Sequence, residues 1–154
     1  MSEVQTTITP HLTCRGAAQA VEFYKKAFGA EAEVVRPLPD GRIIHAALNI
    51  GGAPFYLVDE FPEHGGKGPL TLGGSPVALT LRVADCDAVF NRAVEAGCTV
   101  TMPLADTFWG DRYGMVTDPF GHLWGIATTQ RQVSEDEIHQ AMAGFSEGGR
   151  EGNE

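Results

Sequence analysis

The loop FWGDRYG, from Phe108 to Gly114, packs two aromatics, an acid, a guanidinium and two glycines into a few residues. Trp109 offers a stacking face, Arg112 a planar fork that holds a carboxylate or phosphoryl oxygen in bidentate fashion, and the glycines permit close approach of a ligand. The structural alternative is that Asp111 and Arg112 pair to stiffen a hairpin while Trp109 plugs the mouth of a sheet. Arg82 is a second guanidinium that needs a counter-charge, either an anionic ligand group or one of Asp111 and Glu60. His11, His45 and Glu60 are candidates for general acid–base work. His122 directly follows the turn DPFG and is read as hydrogen-bonded to it, while His64 and His139 fall in a connector and a tail. Cys14, Cys86 and Cys98 form no CxxC pair and no zinc spacing, so they are read as buried thiols. No phosphate cradle, HExxH or nucleophile elbow is present.

These groups must be held by elements whose periods are visible. Ile8, Leu12 and Cys14 alternate with Thr9, His11 and Thr13, the period of a strand with one buried face. Ala17, Ala20, Val21, Tyr24, Ala27 and Phe28 then recur at helical steps, closed by Gly29. AEAEVVRPLP, IIHAALNI and APFYLVDE follow as a three-stranded meander with turn residues at each break. The order is then written again. PVALTLRV alternates, Asp85 is placed to cap a helix carrying Cys86, Val89, Phe90, Ala93 and Val94, Gly97 closes it, and CTVTMPL, RYGMVTD and HLWGIAT supply three more strands. The fold class is α+β, with two tandem βαβββ units at 1–60 and 76–130. Between them 61–75 is a glycine-rich, aperiodic linker. In 131–154, Ser134 and Glu137 have capping-box spacing for a short helix ending near Gly144, followed by a disordered acidic tail.

The formal charge is −9 over 154 residues. Such a field repels phosphate backbones and anionic lipid, so nucleic-acid and membrane partners are disfavoured. Part of that charge is local, since six acids face two arginines from Arg131 onward. No stretch approaches the ~20 apolar residues of a bilayer span, and the N-terminus lacks a basic-then-apolar leader, so the expected location is cytoplasmic.

The repeated unit, VEFYKKAFGAE, FWGDRYG and DPFGHLW together resemble the glyoxalase, bleomycin-resistance and extradiol-dioxygenase family, the vicinal oxygen chelate superfamily, over about residues 7 to 130. ITPHL, VEFYKKAFGA and WGDRYG are most similar to its PhnB-like branch. The resemblance implies that each sheet rolls around a cleft with its helix outside. Strand parity then puts Thr9, His11, Thr13, His45, Ala47, Asn49, Tyr56 and Val58 on the first cleft face, and Ala78, Thr80 and Arg82 on the second. Trp124 has helix-face parity and is assigned to the core.

Metal-dependent members take one ligand from the first and last strand of each unit. Those positions fall here on Thr9, Tyr56, Ala78 and Gly125, none a His or carboxylate, so no metal and no other cofactor is expected. A relocated set of His11, His45 and Glu60 needs a slip in strand register. The expected ligand-binding residues are Thr9, His11, His45, Asn49, Tyr56, Thr80, Arg82, Trp109 and Arg112. The leading expectation is a protein that binds a small, partly aromatic molecule. The alternative is a lyase or isomerase for a glutathione-like, keto or enediolate-forming substrate, using a relocated metal or general acid–base catalysis. A homodimer is expected, because a lone βαβββ unit leaves one sheet face and its edges uncovered.

Overall fold

Helix α1 (Ala17–Phe28) buries the stripe its spacing dictates: Ala17, Ala20, Val21, Tyr24, Ala27 and Phe28. Gly29 ends it in the left-handed region that glycine adopts without steric cost, φ 68°, its N–H returning to the Lys25 carbonyl. The computed structural model in which this is seen describes residues 3–148. Strand β1 (His11–Cys14) precedes the helix, and β2 (Glu31–Pro37), β3 (Ile43–Ile50) and β4 (Ala53–Asp59) follow it. The sheet order is β1-β4-β3-β2, with β1 and β4 parallel and the other neighbours antiparallel.

The second unit repeats this. β5 (Ala78–Arg82), α3 (Cys86–Ala96), β6 (Thr99–Asp106), β7 (Asp111–Thr117) and β8 (Leu123–Thr129) form a sheet of order β5-β8-β7-β6, with β5 and β8 parallel. The duplicated α+β architecture is as the sequence predicts. Asp85 caps α3 by accepting from the Ala88 amide. The two units differ in how the helix start is held from the sheet. In the first, Asp59 Oδ1 accepts from the amides of Gly16 and Ala17, and Oδ2 from Ile43. In the second, the Thr128 hydroxyl accepts from the Cys86 amide and donates to the Val83 carbonyl.

The helix sides of the units are fastened together. Trp124, 3% exposed, packs against Tyr24, Phe28 and Phe55 with ring centroids 4.8–5.8 Å apart, which confirms it as core. Burying a side chain of this size contributes roughly 1.5–3 kcal/mol. Asp118, 4% exposed, lies at the centre of this seam. Its Oδ1 accepts from the amides of Phe120 and His122, and its Oδ2 from the Tyr24 hydroxyl and the Trp124 indole. The Arg92 guanidinium donates to the Lys25 and Lys26 carbonyls, satisfying the end of α1 from the other unit.

Three expectations need correction. Ile8 is 93% exposed rather than inward-facing. β1 starts only at His11, because Pro10 has no N–H to extend the ladder even though its carbonyl accepts from Tyr56. The linker is not aperiodic. It holds a 3₁₀ turn (Pro62–His64) and the short helix α2 (Pro69–Leu72). Glu60 accepts from the Gly68 amide and the Thr71 hydroxyl, and Arg15 donates to Thr71 and pairs with Glu60. At Gly121 an added Cβ would stand 2.6 Å from Pro69 Cβ, so the linker lies directly on the second unit's turn. The C-terminal helix α4 (Glu135–Gly148) starts at Ser134 as its capping spacing predicts, but runs past Gly144. Of the tail read as disordered, residues 149–154 lie outside the described residues. No helix among the described residues is long and apolar enough to cross a membrane.

Candidate functional site

Parity places the first cleft face as expected. His11 lies opposite Tyr56, and Tyr56 opposite Ala47, while the alternate residues Leu12, Leu57 and Ala46 are buried beneath α1. His11 and His45 approach Tyr56 edge-on from two sides, with ring centroids at 6.1 and 4.9 Å. This trio is what the fold brings together. Asn49 belongs to the same face but is committed to neighbours. Its side-chain amide donates to Glu33, and its oxygen accepts from the Gly52 amide in the following turn. Thr9 is half-buried just ahead of β1. Glu60 does not join His11 and His45. It is clamped by Thr71, Gly68 and Arg15, and the Thr71 hydroxyl, then the Gly68 amide and Arg15, hold its carboxyl below the usual range.

On the second face, β8 pairs Gly125 with Thr80 and Ala127 with Arg82. Across β7, Tyr113 lies opposite Ala127 and Met115 opposite Gly125. Tyr113 is the residue that sequence reasoning missed. A Cβ built on Gly125 would stand 2.7 Å from the Tyr113 hydroxyl and 2.9 Å from Cε2, so the phenol occupies the space a side chain at 125 would need. Trp109 and Phe108 stand beside it, 43% and 36% exposed, with Trp109 6.5 Å from Tyr113.

The charges of this face are internally spent. Arg82 grips Asp111 with two nitrogens at 3.0 and 3.1 Å and donates to the Thr129 hydroxyl. The indole of Trp109 donates to the same carboxylate at 3.1 Å. Arg82 first, with Trp109 and Thr129 adding to it, keeps the Asp111 carboxyl below its ordinary range. Of the two fates the sequence leaves open for Arg82, pairing with Asp111 is the one observed.

Arg112 is on the other side of the sheet. It lies opposite Thr128 and forks onto Asp87 of α3 at 2.9 and 3.0 Å, with Asp106 at 3.2 Å. It therefore neither pairs with Asp111 nor joins the groups on the cleft face. His122 keeps its amide bond to the DPFG turn, and its Nε2 meets the Thr13 carbonyl of the first unit at 2.9 Å. A carbonyl only accepts, so that nitrogen carries the proton.

The residues present do not fit the metal centre that the resemblance suggests. Gly125 has no donor and its side-chain direction is filled by a phenol, Ala78 has none, and Thr9 and Tyr56 are weak donors. Among the described residues no three His, Cys, Asp or Glu side chains converge. The three cysteines are free and buried, and burial pushes Cys98 up to about 12 and Cys14 higher, so neither is a nucleophile at neutral pH. Where the two sheets meet, a cavity of ≈220 Å³ is lined by Pro10, Pro54, Phe55, Ala78, Thr80 and Trp124 among others. That falls short of the ~300–1,000 Å³ that enclose a drug-sized ligand.

The family model described as the Glyoxalase/Bleomycin resistance protein/Dioxygenase superfamily matches residues 6–126. The uncharacterized protein Rv0887c of Mycobacterium tuberculosis (strain H37Rv) is 48% identical over 148 residues, which cover 94% of this chain and 87% of that protein. The X-ray structure of the Arabidopsis thaliana At5g48480 gene product is similar with a TM-score of 0.65 and 31% identity, covering 80% of this chain and 99% of that one. A PhnB protein from Bacillus cereus, described as a putative 3-demethylubiquinone-9 3-methyltransferase, shares the fold at TM-score 0.64 and 22% identity, over 80% of this chain and 99% of its own.

Proposed function

The chain belongs to the Glyoxalase/Bleomycin resistance protein/Dioxygenase superfamily, and from that premise we propose that it binds a small, partly aromatic molecule on its sheet faces without a metal ion. The observation that carries this reading is the pair of aromatic clusters on faces that the chain's own helices leave uncovered. One is His11–Tyr56–His45, and the other is Phe108–Trp109–Tyr113. Such rings give a planar ligand stacking and edge contacts, and phenol and imidazole supply directional hydrogen bonds.

The same geometry supports a homodimer in which the first unit of one chain faces the second unit of its partner. The units are joined in the chain through α1, α3 and Trp124, so both cleft faces point away from the joint. On the outer strand β6, Val100 and Met102 remain 43% and 48% exposed. Each half-cleft then gains from the partner the opposite wall that its own chain does not supply. A cytoplasmic setting fits the three unpaired, buried cysteines.

Purified without chelator, the protein is expected to carry no stoichiometric nickel, zinc or iron, and to quench Trp109 fluorescence saturably with a planar aromatic probe. Near-unit metal content refutes the metal-free reading, and sedimentation at the monomer mass refutes the dimer. The second reading, a lyase or isomerase for a keto or enediolate-forming substrate, is favoured by one observation. His45 lies close enough to Tyr56 to exchange protons with a substrate held against the phenol. Solvent-deuterium exchange of α-protons in a keto substrate, abolished by His45→Ala, is the signature that selects it.

A further inference from the structure

Both guanidiniums that the sequence offers to an anion are engaged elsewhere, Arg82 by Asp111 and Arg112 by Asp87 and Asp106. Among the described residues, the lysines and arginines with no carboxylate at ion-pair distance are Lys26, Arg36, Lys67 and Arg92. Lys26 is exposed on α1, and Arg92 is taken by backbone carbonyls. The other two flank the aromatic trio of the first face.

Arg36 stands directly opposite His45 in the β2–β3 ladder, so it projects from the same face. Residues so paired have Cβ atoms ~4.5–5.5 Å apart. Lys67 lies at the opposite edge, lining with His11, Thr13 and His122 a cavity of ≈190 Å³ that carries no carboxylate. Of the acids of this face, Glu31 and Glu33 sit at the far corner beside Asn49, and Glu60, next to the linker, is already held by Arg15, Thr71 and the Gly68 amide. Glu63 beyond the strand ends is already paired with Arg42. A chain of net charge −9 thus leaves cations without carboxylate partners at both ends of one aromatic band. An unpaired guanidinium beside an aromatic face can take a carboxylate through two charge-assisted hydrogen bonds in a planar fork.

We infer that the band from Lys67 through His11, Tyr56 and His45 to Arg36 is an anion-recognising subsite, and that the ligand is a planar organic acid. Its ring lies against Tyr56 and its carboxylate is taken in bidentate fashion by Arg36, while Lys67 adds positive potential from the other edge. The inference rests on the binding reading above and assigns it a ligand class that neither composition nor the arginines of the second unit predict.

Calorimetric titration of the full-length protein with 2-naphthoate and its neutral isostere 2-naphthamide, at low salt, tests it. The acid is expected to bind about tenfold tighter than the amide, with the difference shrinking as chloride is added. Arg36→Gln is expected to erase that difference while leaving the amide unchanged. Lys67→Gln is expected to narrow it by about two- to threefold, and Tyr56→Ala to weaken both probes. Arg36 is exposed on an edge strand, so its replacement leaves the fold intact, with circular dichroism as the check. Equal affinity for the two probes, tighter binding of the amide, or an Arg36→Gln variant that still prefers the acid overturns the anionic subsite and leaves the binding reading standing. Failure of both probes to bind counts against both.

Discussion

At matching rungs of the two parallel ladders, the first sheet sets His11 opposite Tyr56 and the second sets Thr80 opposite Gly125. One face carries an imidazole and a phenol. The other carries a hydroxyl and an empty α-carbon, filled from the next strand by Tyr113. The first face leaves its cations and aromatic polar groups open to a ligand, whereas the second ties Arg82, Asp111, Trp109 and Thr129 into a closed set. Duplication has kept the skeleton and let the two faces diverge. One presents open aromatic and cationic groups, and the other a closed, hydrogen-bonded aromatic wall.

The contrast breaks first where the halves are joined. Asp118→Ala removes the acceptor for Tyr24 and Trp124 inside the shared core and is expected to cost about 3–5 kcal/mol in denaturant unfolding. The helix supports come next. Asp59→Ala strands three amides and is expected to cost about 2–3 kcal/mol, against about 1 kcal/mol for Thr128→Ala, whose hydroxyl serves one. Equal losses would show that the units are held alike.

Gly125→Ala forces a methyl into the Tyr113 ring and is expected to destabilise by about 1–3 kcal/mol. In the Tyr113→Ala background the same change is expected to be nearly neutral. Additive effects in that double-mutant cycle would remove Tyr113 from the wall. The smallest effect is the pH response of the closed set. Because Arg82 depresses the Asp111 carboxyl, its contribution is fully present above the ordinary carboxylate range, near ~3.9, and fades only as pH falls through the lower folded value. Iodide quenching of Trp109, followed from neutral to acid pH, is expected to stay flat through the ordinary range and change below it. A transition centred near pH ~4, the ordinary carboxylate value, would mean that the pair is open.

Helix stripes, glycine stops and strand alternation were legible because each depends on residues a few positions apart. For the same reason the inward and outward sets of β3 and β4 could be read, and with them the trio His11, Tyr56 and His45. What stayed hidden depends on neighbours across strands. The irregularity between Ala32 and Val34 shifts the β2 register and so brings Arg36 to the face of His45, which simple alternation does not reveal. Arg112 looked equivalent to its loop companions, yet its rung opposite Thr128 turns it to Asp87. Tyr113 could be placed over Gly125 only once β7 and β8 were paired. The linker misled for another reason. Its glycines signal freedom, but Glu60 collects donors from it that are eight and eleven residues away.

That clasped connector changes what the covalent join is for. Gly68 is pressed against the Thr13 carbonyl, Pro69 against Gly121, and Thr71 is held by Arg15 and Glu60, so the path between the halves is fixed by contacts that do not require an unbroken backbone. A protease nick after Lys67, the one lysine or arginine of the linker, is therefore expected to leave two fragments still locked together at the seam, which size-exclusion chromatography of the nicked protein checks. Halves made as separate polypeptides are expected to reassemble. Gly73 and Gly74 are the opposite kind of position, with left-handed backbone and nothing within 4 Å of an added Cβ. Extra residues inserted there are expected to be absorbed as slack.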